Sequence, residues 1–234
     1  MLKKSRKDFF MIKIFADTSD IEAIRRLDKN SLISGFTTNP TLMRKEGVTD
    51  YEKFCKEVIS IIEKKCSKCE KGWIYGAFDA VSPGFRPKNK CRICLGKGRI
   101  SKPVSFEVFA DDFDEMEKQA REISSWGENV YVKIPITNTE GESSNHIIEV
   151  LTHDIKLNIT AIMTVNQVAT LPVPIKPMIV SVFAGRIADT GEDPMFTMKE
   201  VQTLLGGAEL LWASPREVLN IYQAEKVGAD IITC

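Results

Sequence analysis

Val130-Tyr-Val-Lys-Ile-Pro-Ile-Thr137 is an almost unbroken run of β-prone apolar residues with a lysine, Lys133, at its centre. A run that continuous suits a strand buried on both faces, as in a parallel sheet covered by helices. Lysine is almost never fully buried without a partner, because taking an ammonium out of water is costly unless it pairs or loses its proton. A lysine that sheds its proton is a nucleophile, the usual route to a Schiff base with a carbonyl substrate. The competing reading is an edge strand whose lysine points into water, and the flanking sequence decides between them.

Outward from this stretch, strands and helices alternate. Residues 12–16 form a strand, followed by a helix over 21–28 that Asp17 or Ser19 can cap. A second strand, 32–36, runs into Thr37-Thr-Asn-Pro40, and 51–63 is an amphipathic helix. Strand 104–109, helix 113–124 and strand 130–136 come next, then helix 144–154, strand 157–162, a short helical piece near 165–170 and strand 178–183. Helix 195–205, strand 208–213, helix 216–226 and strand 229–233 complete the chain. Eight strands alternating with helices predict an α/β fold, a (β/α)8 (TIM) barrel, with a doubly wound sheet as the competing architecture. Pro172, Pro174 and Pro177 should truncate the fifth helix. The barrel is expected to lack its last helix.

A chain of 234 residues with 43% hydrophobic residues can bury a sizeable core. Its 32 basic and 32 acidic residues balance, so global charge points to no polyanionic partner. The balance is uneven along the chain: residues 64–99 carry ten Lys or Arg against Glu70 and Asp79, a surplus of eight. The opening ten residues are basic and lack the apolar core of a signal peptide, and no stretch is long enough to span a membrane. The chain is therefore expected to be cytoplasmic. Its organisation reads as a basic tail over 1–10 and a barrel over 11–234, interrupted by an insertion over 65–100.

In a barrel, catalytic groups project from the carboxyl ends of the strands. Polar residues recur at those places: Asp17 after the first strand, Thr37 and Asn39 after the second, Glu107 in the third, Lys133 in the fourth, Asn158 and Thr160 in the fifth. Ser181 and Arg186 follow the sixth strand, and Ser214 and Arg216 the seventh. Each alone has a plain explanation, Asp17 as a helix cap, Asn39 as a turn residue, Thr160 as a β-former. Seven successive strand ends carrying such residues outweigh those explanations.

Phe15-Ala-Asp-Thr-Ser19, Gly35-Phe-Thr-Thr-Asn-Pro40, Val132-Lys-Ile-Pro135, Asn158-Ile-Thr160, Ser181-Val-Phe-Ala-Gly-Arg-Ile187 and Trp212-Ala-Ser-Pro-Arg216 resemble the successive signatures of transaldolases. The resemblance covers residues 12–64 and 101–234 and implies a Schiff-base aldolase mechanism on a barrel, with sugar phosphates as substrates and no cofactor for catalysis. It implies Lys133 as the Schiff-base residue, Asp17 as acid/base, and Glu107 with Thr160 as holders of a catalytic water. Asn39, Asn158 and Ser181 would bind substrate hydroxyls, with Thr37 and Ser214 in the same wall. Arg186 and Arg216 would grip the phosphate with planar forks of donors. The related fructose-6-phosphate aldolases use the same lysine but release free dihydroxyacetone. That subgroup typically has Gln where this chain has Glu107 and Tyr where it has Phe183, so transfer is favoured over simple cleavage. The chain is expected to form a homo-oligomer.

Cys66-Ser-Lys-Cys69 and Cys91-Arg-Ile-Cys94 stand 21 residues apart, near the spacing of tetrahedral zinc sites. Transaldolases do not normally carry this segment, which reads as a structural zinc module between the second helix and third strand. Helix-to-strand loops emerge at the barrel bottom, so the module should stand apart from the chemistry. Its positive charge, with Trp73, Tyr75, Phe78 and Phe85 interleaved, could bind nucleic acid or an acidic partner. The preferred reading is that these aromatics form the module's own small core. The alternative function is a catalytically decayed barrel that works through its zinc module.

Overall fold

The structure is a computed structural model that describes residues 12–75 and 88–234. The basic tail and the aromatics Phe78 and Phe85 lie outside the described residues. The chain begins with β1 (Lys13–Asp17), α1 (Ile21–Asp28), β2 (Ile33–Thr37), α2 (Pro40–Lys45) and α3 (Tyr51–Ile62). Four short strands follow: β3 (Glu63–Lys65), β4 (Trp73–Tyr75), β5 (Lys88–Lys90) and β6 (Arg99–Ser101). Next come β7 (Val104–Glu107), α4 (Phe113–Ser125), β8 (Val130–Pro135), α5 (Asn145–Leu151), β9 (Leu157–Ile162) and α6 (Val165–Ala169). The remainder is β10 (Met178–Val182), α7 (Ala184–Asp189), α8 (Pro194–Leu204), β11 (Glu209–Trp212), α9 (Leu219–Val227) and β12 (Ile231–Thr233).

Eight strands close into a parallel barrel in the order β1-β12-β11-β10-β9-β8-β7-β2. Alternation along each strand explains why it closes. Met178, Val180 and Val182 of β10 face the helices and join the main core, whereas Ile179 joins Phe15, Leu211, Ala213 and Ile231 in a separate cluster inside the barrel. Phe15 fills much of that interior because Gly35 on the adjacent strand has no side chain: a Cβ there would come within 2.6 Å of the Phe15 ring. Trp212 is fully buried among the outer residues.

Local chemistry sets the helix ends. Asp20, Asn39, Asp50 and Asp112 cap α1, α2, α3 and α4 through side-chain acceptors. The α1 cap is thus Asp20, not Asp17 or Ser19, and Asp17 is left for the barrel mouth. A capping box of Thr164 and Gln167 starts α6, which ends before the proline cluster. One helix was not expected from sequence, α7 over Ala-Gly-Arg-Ile-Ala-Asp. Gly185 makes it possible, since a Cβ at that position would lie 1.6 Å from the Ser214 carbonyl oxygen. The backbone of α7 therefore abuts the loop after β11.

Between α3 and β7, β3 pairs antiparallel with β6, and β4 with β5. The base of this insertion is tied to the barrel by the buried carboxylate of Asp28, which pairs with Lys64 and, at 3.4 Å, with Lys102. Residues of the insertion, among them Cys94 and Leu95, share a cavity wall with Pro103, Asn129, Tyr131 and Lys156. Those barrel residues begin strands, so the insertion stands at the amino-terminal end of the barrel, as the sequence predicted.

Candidate active site

Strand register assembles the site at the opposite, carboxyl end. The β7–β8 pairing sets Glu107 beside Lys133, and the β8–β9 pairing sets Lys133 beside Asn158. All three alternate inward, because their sequence neighbours Phe106, Val132, Ile134 and Ile159 pack outward into the main core. Lys133 is 8% exposed, so its burial requires partners. The amine lies 2.8 Å from Glu107 Oε2 and donates to the Thr38 carbonyl oxygen at 3.1 Å. The edge-strand reading is therefore excluded.

The other expected residues converge on the same mouth. A cavity of about 690 Å³ is lined by Asp17, Thr37, Asn39, Glu107, Lys133, Asn158, Thr160, Ser181, Phe183, Arg186, Ser214 and Arg216. On the β1–β2 side, Asp17 accepts from Thr37 Oγ1 at 2.8 Å through one carboxylate oxygen and from Asn39 Nδ2 at 3.3 Å through the other. Asn39 uses its own oxygen to cap α2, so one side chain both starts a helix and orients the carboxylate. On the β9–β10 side, Ser181 Oγ donates to Asn158 Oδ1 at 2.6 Å, and Asn158 Nδ2 donates to Ser105 Oγ at 3.0 Å. Thr160 Oγ1 is buried and has no hydrogen-bond partner among the described residues, and the next residue, Ala161, has φ +61°. A buried hydroxyl left unpaired costs about 1–3 kcal/mol, so a group that completes it is favoured at this place.

The cationic rim lies beyond β10 and β11. Arg216 makes a two-pronged ion pair with Asp189, and its guanidinium holds the Asp189 carboxyl below the usual carboxylate range. Arg186 is exposed on α7. Ser214, with φ +59°, turns the loop that carries Arg216. Sequence reasoning missed Ser105, Asp189, the Thr38 carbonyl and Lys45, which also lines the mouth. A serine within an apolar strand was the available signal for Ser105. Thr38 acts through its backbone, which side-chain chemistry does not reveal.

The four insertion cysteines form a second constellation. Their sulfurs all lie within 4.8 Å of one another, with Cys66–Cys91 at 3.8 Å and Cys69–Cys94 at 3.4 Å. The two halves bond reciprocally, Cys66 N to Gly98 O at 2.9 Å and Cys91 N to Gly72 O at 2.8 Å. Burial opposes ionisation of Cys94, but the N–H groups of Gly98 and Gly96 and the neighbouring thiols hold it down to about 7. These residues could hold a metal ion.

A closed parallel barrel with an inward, paired lysine ringed by polar strand ends defines a (β/α)8 enzyme. Solved structures agree on the fold: dihydrodipicolinate synthase from Rhodopseudomonas palustris superposes with a TM-score of 0.55 at 13% identity, covering 95% of this chain and 69% of that one. Orotidine 5′-monophosphate decarboxylase from Metallosphaera sedula gives 0.55 at 10% identity, covering 96% and 88%. Residues 14–234 match the family described as Transaldolase/Fructose-6-phosphate aldolase. A probable transaldolase of Methanococcus maripaludis is 34% identical over 95% of this chain and 85% of its own length. One from Dehalococcoides mccartyi is 32% identical, over 95% and 86%. The chain belongs to the transaldolase/fructose-6-phosphate aldolase family and is an enzyme of the transaldolase type.

Proposed function

We propose that the protein transfers a dihydroxyacetone unit from a ketose phosphate, fructose 6-phosphate or sedoheptulose 7-phosphate, to an aldose phosphate through a Schiff base on Lys133. The observation that carries this reading is the Lys133–Glu107 pair beside the unpartnered Thr160 hydroxyl. The amine adds to the ketone, and the resulting carbinolamine loses water to give an iminium. Glu107 and Thr160 hold the water that moves protons in these steps. Asp17, oriented by Thr37 and Asn39, takes the proton of the donor's C4 hydroxyl as the C3–C4 bond breaks. The first aldose phosphate leaves, and the bonding electrons pass into an enamine on Lys133. The enamine attacks the acceptor aldehyde, Asp17 returns the proton to the new hydroxyl, and water releases the product. Asn158 and Ser181 bind substrate hydroxyls, and Arg186 and Arg216 bind the phosphate. Glu107 and Phe183 in the mouth favour transfer over release of free dihydroxyacetone.

The cysteine constellation fits zinc. Tetrahedral coordination at about 2.3 Å per thiolate spaces sulfurs about 3.8 Å apart, close to the separations of the paired cysteines. In this reading Cys66, Cys69, Cys91 and Cys94 hold one structural Zn2+ at the barrel bottom, apart from the reaction. A cytoplasmic homo-oligomer remains part of the proposal, and among the described residues no helix is long and apolar enough to cross a membrane.

Borohydride reduction with fructose 6-phosphate, followed by mass mapping, tests the mechanism. A stable adduct on Lys133, absent from Lys133→Ala, is expected. Folded protein that gives no adduct rejects it, and free dihydroxyacetone formed as fast as acceptor product would assign simple cleavage instead.

A further inference from the structure

A second cavity stands apart from the barrel mouth. It lies at the other end, where the insertion overhangs the loop between α4 and β8, and it measures about 900 Å³. That volume is within the range of pockets for small organic ligands, about 300–1,000 Å³. One wall belongs to the second cysteine turn, whose Ile93 and Leu95 are 63% and 76% exposed. The facing wall includes Trp126 and Tyr131. Apolar side chains left so open beside aromatic rings favour a ligand body that removes them from water.

The charges of the lining do not balance. Lys56, Lys97, Arg99 and Lys156 face Glu63 and Glu128, a surplus of two positive charges. Arg99 is paired with Glu63 at 3.2 Å and Lys56 with Glu52 outside the cavity. Lys97 and Lys156 are left to share one residue, Glu128. Lys97 takes its carboxylate at 2.5 Å, and Lys156 reaches only its backbone carbonyl oxygen. Lys156 is half-buried over the Tyr131 ring, 5.6 Å from its centroid, with no carboxylate partner among the described residues. Burial first, and the neighbouring Lys97 second, push its ammonium toward losing its proton. An anion between the two lysines would relieve both the repulsion and the desolvation.

We propose that this cavity is a second binding site, for a phosphorylated aromatic of nucleoside monophosphate size. Its phosphate seats between Lys97 and Lys156, and its flat body lies against Ile93, Leu95 and Trp126. The site is formed jointly by the insertion and the barrel floor, and it is independent of the transaldolase reading.

Isothermal titration of the full chain with adenosine 5′-monophosphate, adenosine and inorganic phosphate tests it. The monophosphate should bind with 1:1 stoichiometry, and each half alone at least about tenfold more weakly. Lys156→Met should weaken binding at least about tenfold. Leu95→Glu, on an exposed side chain that folding does not require, should do the same. Arg216→Met, at the opposite end, should leave binding unchanged. Absence of binding, loss in Arg216→Met alone, indifference to both Lys156→Met and Leu95→Glu, or equal binding of phosphate and monophosphate would each overturn the proposal.

Discussion

Arg216 and Asp189 meet through two parallel contacts, Nε to Oδ1 at 3.0 Å and Nη2 to Oδ2 at 2.5 Å, joining the loop after β11 to the end of α7. Both groups are solvent-exposed, so the pair adds little to stability. Its consequence is geometric: one edge of the guanidinium, Nε and Nη2, is fixed on the carboxylate, and the remaining donors are held at the mouth.

Asp189→Asn should therefore raise KM for fructose 6-phosphate several-fold and leave kcat and the melting temperature nearly unchanged. Activity on unphosphorylated fructose, measured at high concentration, should not move. An equal loss on both substrates would show that Asp189 does not act through phosphate binding. Because Asp189 is held below the usual carboxylate range, the ion pair is present above that range and is lost only as pH falls through the lowered value. The wild-type KM should accordingly stay flat as pH falls through about 4, the ordinary carboxylate region.

Thr160 supports a sharper test, because its hydroxyl has no partner among the described residues. Replacing an unsatisfied buried hydroxyl by a methyl of similar shape should not destabilise the fold, so Thr160→Val should keep or raise the midpoint of denaturant unfolding. Borohydride trapping at Lys133 should nevertheless slow by about 10²–10⁴, the usual contribution of a positioned proton relay. Unchanged trapping kinetics would remove Thr160 from the reaction.

These two residues also show what a sequence conveys. The β-rich run around Lys133 and the alternation of elements were enough for the barrel, since burial on both faces leaves few other arrangements. The convergence of the polar strand-end residues on one mouth was legible because parallel strands bring all their carboxyl ends to one face. Asp189 was not, because α7 is a six-residue helix whose formation depends on Gly185 meeting the Ser214 carbonyl. That contact joins residues about thirty positions apart and leaves no periodic signal. The antiparallel pairs of the insertion were hidden for a similar reason, their three-residue strands being too short to show alternation.

Ser105 is fully buried and receives the amide of Asn158, which in turn receives the hydroxyl of Ser181. Ser105→Ala should leave one Asn158 N–H without an acceptor and cost about 1–3 kcal/mol of stability, read from chemical denaturation. Freed of this tether, Asn158 should also lose its set orientation, and KM for the ketose should rise. A variant as stable and active as the wild type would reduce the Ser105–Asn158–Ser181 chain to incidental packing.

The cysteine module and the barrel should separate in their responses to metal removal. One zinc per chain is expected by elemental analysis, lost in Cys66→Ser and on treatment with a strong chelator. Cysteines released from a metal take up protons and no longer hold the two turns together, and they have little apolar core beneath them, since Cys66, Cys91 and Cys94 with Cys69 form a cluster by themselves. Limited proteolysis should then cut within residues 66–98. The barrel should not depend on that cluster: at the base of the insertion β3 pairs with β6, and Lys64 and Lys102 hold the buried Asp28, contacts that involve none of the four cysteines. Transaldolase turnover should thus fall by less than about twofold, while proteolytic sensitivity appears at the opposite end from Lys133. Parallel loss of turnover and zinc would mean instead that the module organises the barrel floor on which β7 and β8 begin.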